Sequence, residues 1–170
     1  MIPAVGAEGA ARIYARLLAM TIAAARDSDL PFELRVTGGT SAMFHSIYGE
    51  DVAVLPQGEG DLGARMGRVE PPALIIGSDC PAMSAPLLQA AAGALEDRDV
   101  VIGPATDGGY YLIGFNRAMP FLFDNMEWST PHVLGETLAR LAERQIAPAI
   151  LPELGDVDMP EDLACWPELQ

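Results

Sequence analysis

Residues 73–81 read Ala-Leu-Ile-Ile-Gly-Ser-Asp-Cys-Pro, and their order decides the fold class. Four apolar residues with no polar alternation suit a strand buried on both faces, as in a parallel sheet covered by helices. Gly77-Ser78-Asp79 then ends that strand on a carboxylate. The arrangement recurs downstream. Val100 to Ile102 predicts another buried strand, running on through Thr106 to Asp107, and Gly109 to Phe115 can extend as a further one. Ala149 to Leu151 predicts a last strand, followed by Asp156 and Asp158. Ser84 to Glu96, rich in Leu and Ala, predicts a helix. Thr130 with Pro131 opens another that runs to about Arg144, proline being preorganised for a first helical position.

Upstream of residue 73 the same alternation holds. Residues 6–26 read as a helix, with Ile13, Leu17 and Met20 on one face and Arg12, Arg16, Ala23 and Arg26 on another. Phe32 to Thr37 and Asp51 to Leu55 read as strands around a helical piece at Ser41 to Tyr48, and Pro160 starts a short last helix. Strands alternating with helices predict an α/β domain whose sheet is mostly parallel and covered on both faces. Ligands of such sheets bind beyond the carboxyl ends of the strands. That rule points to four stretches: Gln57 to Gly63, Gly77 to Pro81, Thr106 to Gly109, and Asp156 to Asp158.

Three of these stretches are acidic. Carboxylates gathered at one sheet edge repel unless a cation sits among them, and Mg²⁺ or Mn²⁺ held by one or two carboxylates plus substrate phosphates suits the pattern. Each acid also has a plain structural reading. Asp79 before Cys80-Pro81 can start a turn, Asp107-Gly108-Gly109 is a hairpin-turn sequence, and Asp158 can cap the helix beginning near Pro160.

The fourth stretch spells G-x-G-x-x-G in Gly58, Gly60 and Gly63, with Asp79 lying 21 residues beyond Gly58. That spacing suits a dinucleotide site. Glu59 and Asp61 argue against it, because they would crowd a pyrophosphate, and about two turns of helix fit before Pro71. A flexible loop that lets backbone approach a ligand is the better reading, with Arg65 or Arg68 offering a guanidinium to phosphate. Cys80 reads as a small buried residue, and Ser78 lacks a nucleophile-elbow context. Trp128 reads as core, with Ser129 or Thr130 capping the next helix.

Composition narrows the chemistry. The 170 residues carry 24 Asp+Glu against 10 Lys+Arg, a net charge of −14, and every basic residue is arginine. Without lysine there is no Schiff-base amine and no P-loop lysine. A pI of about 4.3 argues against nucleic acid and anionic membranes as partners, since both bind through clustered positive charge. Cys80 and Cys165 form no metal-spaced pair, which predicts reduced thiols and a cytoplasmic location. No charge-free apolar run reaches the ~18 residues of a membrane span. Arg12, Arg16 and the apolar run after them faintly suggest a signal peptide, but the amphipathic helix accounts for them better.

Taken together, Gln57-Gly58-Glu59-Gly60-Asp61-Leu62-Gly63-Ala64-Arg65-Met66, Gly77-Ser78-Asp79-Cys80-Pro81, GPATDGGYYLIG at 103–114, Trp128-Ser129-Thr130 and DVDMPEDL at 156–163 resemble one family. It is the domain of unknown function 2064, also called transferase 1, rSAM/selenodomain-associated, within the GT-A superfamily of nucleotide-diphospho-sugar transferases. The resemblance implies a GT-A, Rossmann-like α/β/α sandwich in a single domain spanning 1–170. It implies a Mg²⁺- or Mn²⁺-dependent transferase acting on a nucleotide or nucleotide-sugar and a small-molecule acceptor. By resemblance Asp79 is the metal-binding aspartate and Asp158, or Asp156, the second ligand. Asp79 and Asp107 carry the catalytic roles. Gln57, Gly58, Gly60, Asp61 and Arg65 belong to the nucleobase-contacting region, and Gly108 and Gly109, with Asp107, to the acceptor or sugar side.

Family members begin with a strand and a loop resembling P-x-P-G-x-V-K-T-R-L, whereas Met1 to Gly6 here align with the stretch just beyond that loop. The expectation is a sheet lacking its usual first strand, with two unpaired strand edges. A start assigned too late, rearranged neighbours, or a second copy in a homodimer would each account for it. Nucleotidyl transfer, as in related guanylyltransferases, is the leading expectation. Glycosyl transfer from a nucleotide-sugar is the alternative. A degenerate nucleotide-binding or structural module is the alternative of another class.

Overall fold

The computed structural model describes residues 2–157 and 160–169. In chain order its elements are α1 (Ile2–Asp27), β1 (Glu33–Val36), α2 (Ser41–Tyr48), β2 (Ala53–Pro56), α3 (Leu62–Met66) and β3 (Ala73–Ile76). There follow α4 (Ala85–Asp97), β4 (Val100–Pro104), β5 (Tyr110–Phe115), α5 (Val133–Glu143) and β6 (Ala149–Ile150). Short 3₁₀ turns cover Pro120–Leu122, Pro160–Cys165 and Pro167–Leu169.

Four strands form one sheet in the order β3-β5-β4-β6, and β1 pairs with β2 in a separate parallel ribbon. β5 runs antiparallel to both β3 and β4, while β6 is parallel to β4. Three of the four strands therefore point the same way. The reversed one sits between two of them, so the expected run of parallel neighbours gives way to antiparallel pairing on both sides of β5. The reason is a tight turn: Ala105 to Gly109 reverses the chain directly, with Gly108 N–H on Ala105 O at 3.1 Å and Ala105 N–H on Gly109 O at 3.1 Å. A parallel neighbour would need a long crossover instead.

Helices cover both faces, giving three layers. Ala24 and Ala25 of α1 and Leu88 and Ala91 of α4 pack with Val101, Tyr111 and Leu112 on one face. Met66 of α3, Leu122 of the Pro120–Leu122 turn and Leu141 of α5 pack with Val100, Ile102, Ile113 and Phe115 on the other. β4 is buried along its whole length, as its unbroken apolar sequence requires. Ile13 and Leu17 lie on the buried face of α1 while Arg12 and Arg16 are exposed, as the 3.6-residue period predicts. The helix kinks at Gly6, where φ is 70°.

Among the described residues, β1, β2, β3 and β6 each keep one edge without a partner strand, since the chain forms two open sheets. Along β3, Gly77 N–H bonds Tyr111 O, so by the antiparallel alternation Leu74 and Ile76 turn their backbone groups to the open side.

α5 starts later than proline placement suggests. Thr130 Oγ1 donates back to Glu127 O at 3.0 Å and Ser129 has φ of 61°, so residues 129–131 form a turn before the helix. His132 is the N-cap residue, in place of Ser129 or Thr130, and makes no side-chain cap. Gly108 O accepts the orphan N–H of Leu134 instead, at 2.9 Å.

Candidate active site

The first acidic strand end leads directly into the site. Asp79 lies three residues past β3, where Gly77 has so little room that a Cβ would stand 2.7 Å from Asp79 Oδ1. Asp79 O accepts Val157 N–H at 2.9 Å, and the Cys80 thiol donates to Gly155 O at 3.4 Å. Segment 152–157 is therefore laid against the Asp79 turn, bringing Asp156 to it. Burial pushes the Cys80 thiol up to about 11, with the charges of Asp79 and Asp156 adding to the effect. One thiol thus feels both carboxylates, which are partly buried. Asp79 and Asp156 each engage further partners in the structure. Asp158 lies outside the described residues.

The same segment is stitched to the end of β4. Leu154 N–H donates to Pro104 O at 3.1 Å, Thr106 N–H donates to Leu154 O at 3.0 Å, and Ala105 bridges Leu154. Tyr111 adds a side-chain bond from β5, its hydroxyl donating to Pro152 O at 2.9 Å. A bulge makes that reach available. Gly103 pairs with Leu112 but Pro104 with Tyr110, leaving Tyr111 as the extra residue. Tyr110 consequently packs on the α5 face, edge-on to Trp128 at 6.5 Å, while Tyr111 and Leu112 both face α1 and α4. The Tyr111 ring occupies the space over Gly103, where a Cβ would stand 2.3 Å from it.

The remaining predicted residues are placed in two turns. Asp107 Oδ1 accepts Gly109 N–H at 2.8 Å, so one carboxylate oxygen holds the hairpin turn, and the carboxylate is exposed. Gly108, with φ of 90°, lies against Pro131, whose carbonyl a Cβ would meet at 2.3 Å. In the glycine-rich loop, Asp61 Oδ1 accepts Ala64 N–H at 2.8 Å and caps α3. Arg65 Nε donates to Gly60 O at 3.0 Å and its Nη1 to Gln57 Oε1 at 3.2 Å. Gln57 Nε2 in turn donates to Arg35 O of β1 at 3.2 Å. Arg68 donates to Gln57 O and Glu59 O. Both guanidiniums thus brace their own loop. Gly58 and Gly60 have φ of 81° and 96°, as a loop wrapped around two arginines requires. Gly63 is buried inside α3, and the short helix accounts for the glycine triplet by packing and turn geometry.

The structure thus brings Asp79, Asp156 and the end of β4 together. It places Gln57, Gly58, Gly60, Asp61 and Arg65 in a loop anchored to β1, and Asp107, Gly108 and Gly109 in a turn docked on α5. Tyr111 and Gly103 did not stand out in the sequence as site residues. The signal was the adjacent Tyr110-Tyr111 pair, which a regular strand would send to opposite faces and only a bulge can distribute this way.

Residues 20–130 match the family described as an uncharacterized protein conserved in bacteria, DUF2064. The chain belongs to this family. The fold of this DUF2064 chain matches a crystal structure of a candidate nucleotide-diphospho-sugar transferase from Desulfovibrio desulfuricans G20. The TM-score is 0.82 and the identity 28%, over 94% of this chain and 74% of that one. The fold is therefore that of the nucleotide-diphospho-sugar transferases, as the motifs implied. No curated protein matches the sequence significantly. Among the described residues, no helix is long and apolar enough to cross a membrane. Nor do three or more His, Cys, Asp or Glu gather there into a metal cage.

Proposed function

We propose that this chain is a transferase acting on a nucleotide or nucleotide-sugar and a small acceptor, with Mg²⁺ or Mn²⁺ at Asp79 and Asp156. The observation that carries the reading is the bonding of Val157 N–H to Asp79 O and of the Cys80 thiol to Gly155 O, which brings the two carboxylates to one turn. The donor set suits a hard ion: both ligands are carboxylate oxygens, and the neighbouring Cys80 thiol is turned to Gly155 O. With fewer than three acids gathered, phosphate oxygens and water would complete the shell, as is usual for Mg²⁺. When bound, such an ion neutralises charge on phosphoryl oxygens.

The protein's own part is positioning. Asp79 and Asp156 fix where a diphosphate can sit, at the carboxyl end of β3. Asp107, with one oxygen committed to Gly109 N–H, has a second oxygen facing solvent to orient an acceptor hydroxyl or take up its proton. The Gln57–Arg65 loop offers backbone groups to a base. Asp158 stands next in the chain as a further ligand.

Nucleotidyl transfer is the leading form. The likeness to the candidate nucleotide-diphospho-sugar transferase of D. desulfuricans favours sugar transfer as the second. Thermal shifts with nucleoside triphosphates and nucleotide-sugars, with and without Mg²⁺ or Mn²⁺, test the common core. A metal-dependent shift that Asp79→Ala abolishes is the expected result. No shift with any nucleotide would support a degenerate module. Products separate the two chemistries, since nucleotidyl transfer from a triphosphate releases pyrophosphate and sugar transfer releases a nucleotide.

A further inference from the structure

The acids at the site come from distant parts of the chain, and no regular element carries Asp156 to Asp79. Residues 152–157 follow β6 outside any helix or strand apart from a bridge at Leu154, so their position depends on what fastens them. Backbone bonds do so at Leu154 and Val157. Two side chains do so as well: the Tyr111 hydroxyl at Pro152 O and the Cys80 thiol at Gly155 O. Both side chains are buried, at 3% and 2% exposure, and neither is needed there as a polar group for packing. Phenylalanine would fill the space over Gly103, and alanine would fit beside Met83 and Leu88. The bulge in β5 turns Tyr111 to the face where Pro152 lies, as it turns Tyr110 to the opposite one.

We propose that Tyr111 and Cys80 are positioning residues, two side-chain fasteners that hold Pro152–Val157 across the strand ends and so set Asp156 beside Asp79. The inference rests on the reading of Asp79 and Asp156 as the cation and phosphate site. The fasteners act at opposite ends of the segment. Tyr111 fixes where it enters from β6, and Cys80 fixes the residue directly before Asp156. Burial holds the Tyr111 phenol up at about 12, so it remains a donor across the range in which nucleotides are handled.

The test uses Tyr111→Phe, Cys80→Ala and Cys80→Ser in the full chain. Hydrogen exchange is followed at Leu154, Val157, Ile75 and Ile113, and Mn²⁺ alone is titrated by the electron-spin signal of the free ion. Loss of one fastener is expected to speed exchange at Leu154 and Val157 about fivefold, with Ile75 and Ile113 unchanged, the size of one hydrogen bond lost from a local opening. Mn²⁺ binding is expected to weaken by roughly the same factor. Cys80→Ser, which keeps a donor, is expected to recover most of both effects. Unchanged exchange in Tyr111→Phe and Cys80→Ala would overturn the proposal. So would faster exchange with Mn²⁺ affinity intact, because the fasteners would then serve stability alone. If the wild-type chain binds no Mn²⁺, the reading of the site fails by itself, and exchange at Leu154 and Val157 still decides whether the fasteners hold the segment.

Discussion

Gly63→Ala and Gly93→Ala are the same chemical change in two helices, and the structure gives them opposite signs. Gly63 is the second residue of α3, and an added Cβ would stand 2.5 Å from Phe123 O and 2.9 Å from Trp128 Nε1. A backbone carbonyl cannot swing aside, so α3 or the Phe123 turn must shift by several tenths of an ångström. Overpacking costs about 1–3 kcal/mol, and against a backbone carbonyl the upper half of that range, about 2–3 kcal/mol, applies. The better helix propensity of alanine returns about 0.8–1 kcal/mol. The net is a loss of about 1–2 kcal/mol, a fall in Tm of roughly 2–8 °C for a chain of this size. Gly93, inside α4, has nothing within 4 Å of the same Cβ. There the propensity gain stands alone, and Tm should rise by roughly 2–4 °C. Urea unfolding followed by tryptophan fluorescence and far-UV dichroism measures both. If Gly63→Ala were as stable as wild type, the packing account of the third glycine would be wrong and its triplet would need another explanation. If Gly93→Ala destabilised, the open space beside α4 would be wrong.

Three further outcomes rest on single contacts. Asp61→Ala removes the α3 cap and should cost about 1 kcal/mol, read as a lower urea midpoint with unchanged slope. Arg140 is mostly buried and donates to Phe121 O at 2.9 Å, Asp124 O at 2.7 Å, Asn125 O at 3.3 Å and Glu136. Arg140→Lys keeps the charge but not the fork, and should cost about 2 kcal/mol by the same measurement. The Cys80 thiol holds its proton more tightly folded than unfolded, being raised to about 11. Its contribution to stability is therefore complete below about pH 8.5, the unfolded value, and is lost as pH rises towards 11. Unfolding free energies between pH 7 and 10.5 should decline more steeply for wild type than for Cys80→Ala. Equal slopes would refute the assignment.

Strand and helix positions were largely legible because their signals are local. Ala73 to Ile76 is unbroken and apolar, and Ser41 to Tyr48 follows a capping threonine whose Oγ1 accepts Met43 N–H. Pairing was less legible. That β5 lies reversed between β3 and β4 depends on a turn at Asp107-Gly108-Gly109, a sequence read as either hairpin or site. In the structure Asp107 holds that turn through Gly109 N–H. The start of α5 was misplaced because its cap comes from Gly108, 26 residues before Leu134 in the chain. The meeting of Asp79 with Asp156 could be anticipated as acids on one sheet edge. The means by which they meet could not, because Tyr111 and Pro152 are 41 residues apart and only a bulge brings them into line.

The break between the two sheets has a mechanical meaning. Backbone bonds carry force from β3 through β5 and β4 to β6, and they stop there. What couples the β1–β2 ribbon to that sheet is side-chain contact under α1. Leu18 and Ile22 grip the ribbon, Ala24 and Ala25 grip the sheet, and Phe32 packs against both clusters. Apolar contact is non-directional, so it fixes how close two bodies stand far better than how they are turned. The glycine-rich loop starts on one body, where Gln57 bonds to β1, and ends on the other, where Gly63 and Met66 pack beside Phe123 on the sheet that carries Asp79. It therefore bridges a greased joint at Phe32, and a ligand that touches both sides would itself become the part that locks their angle.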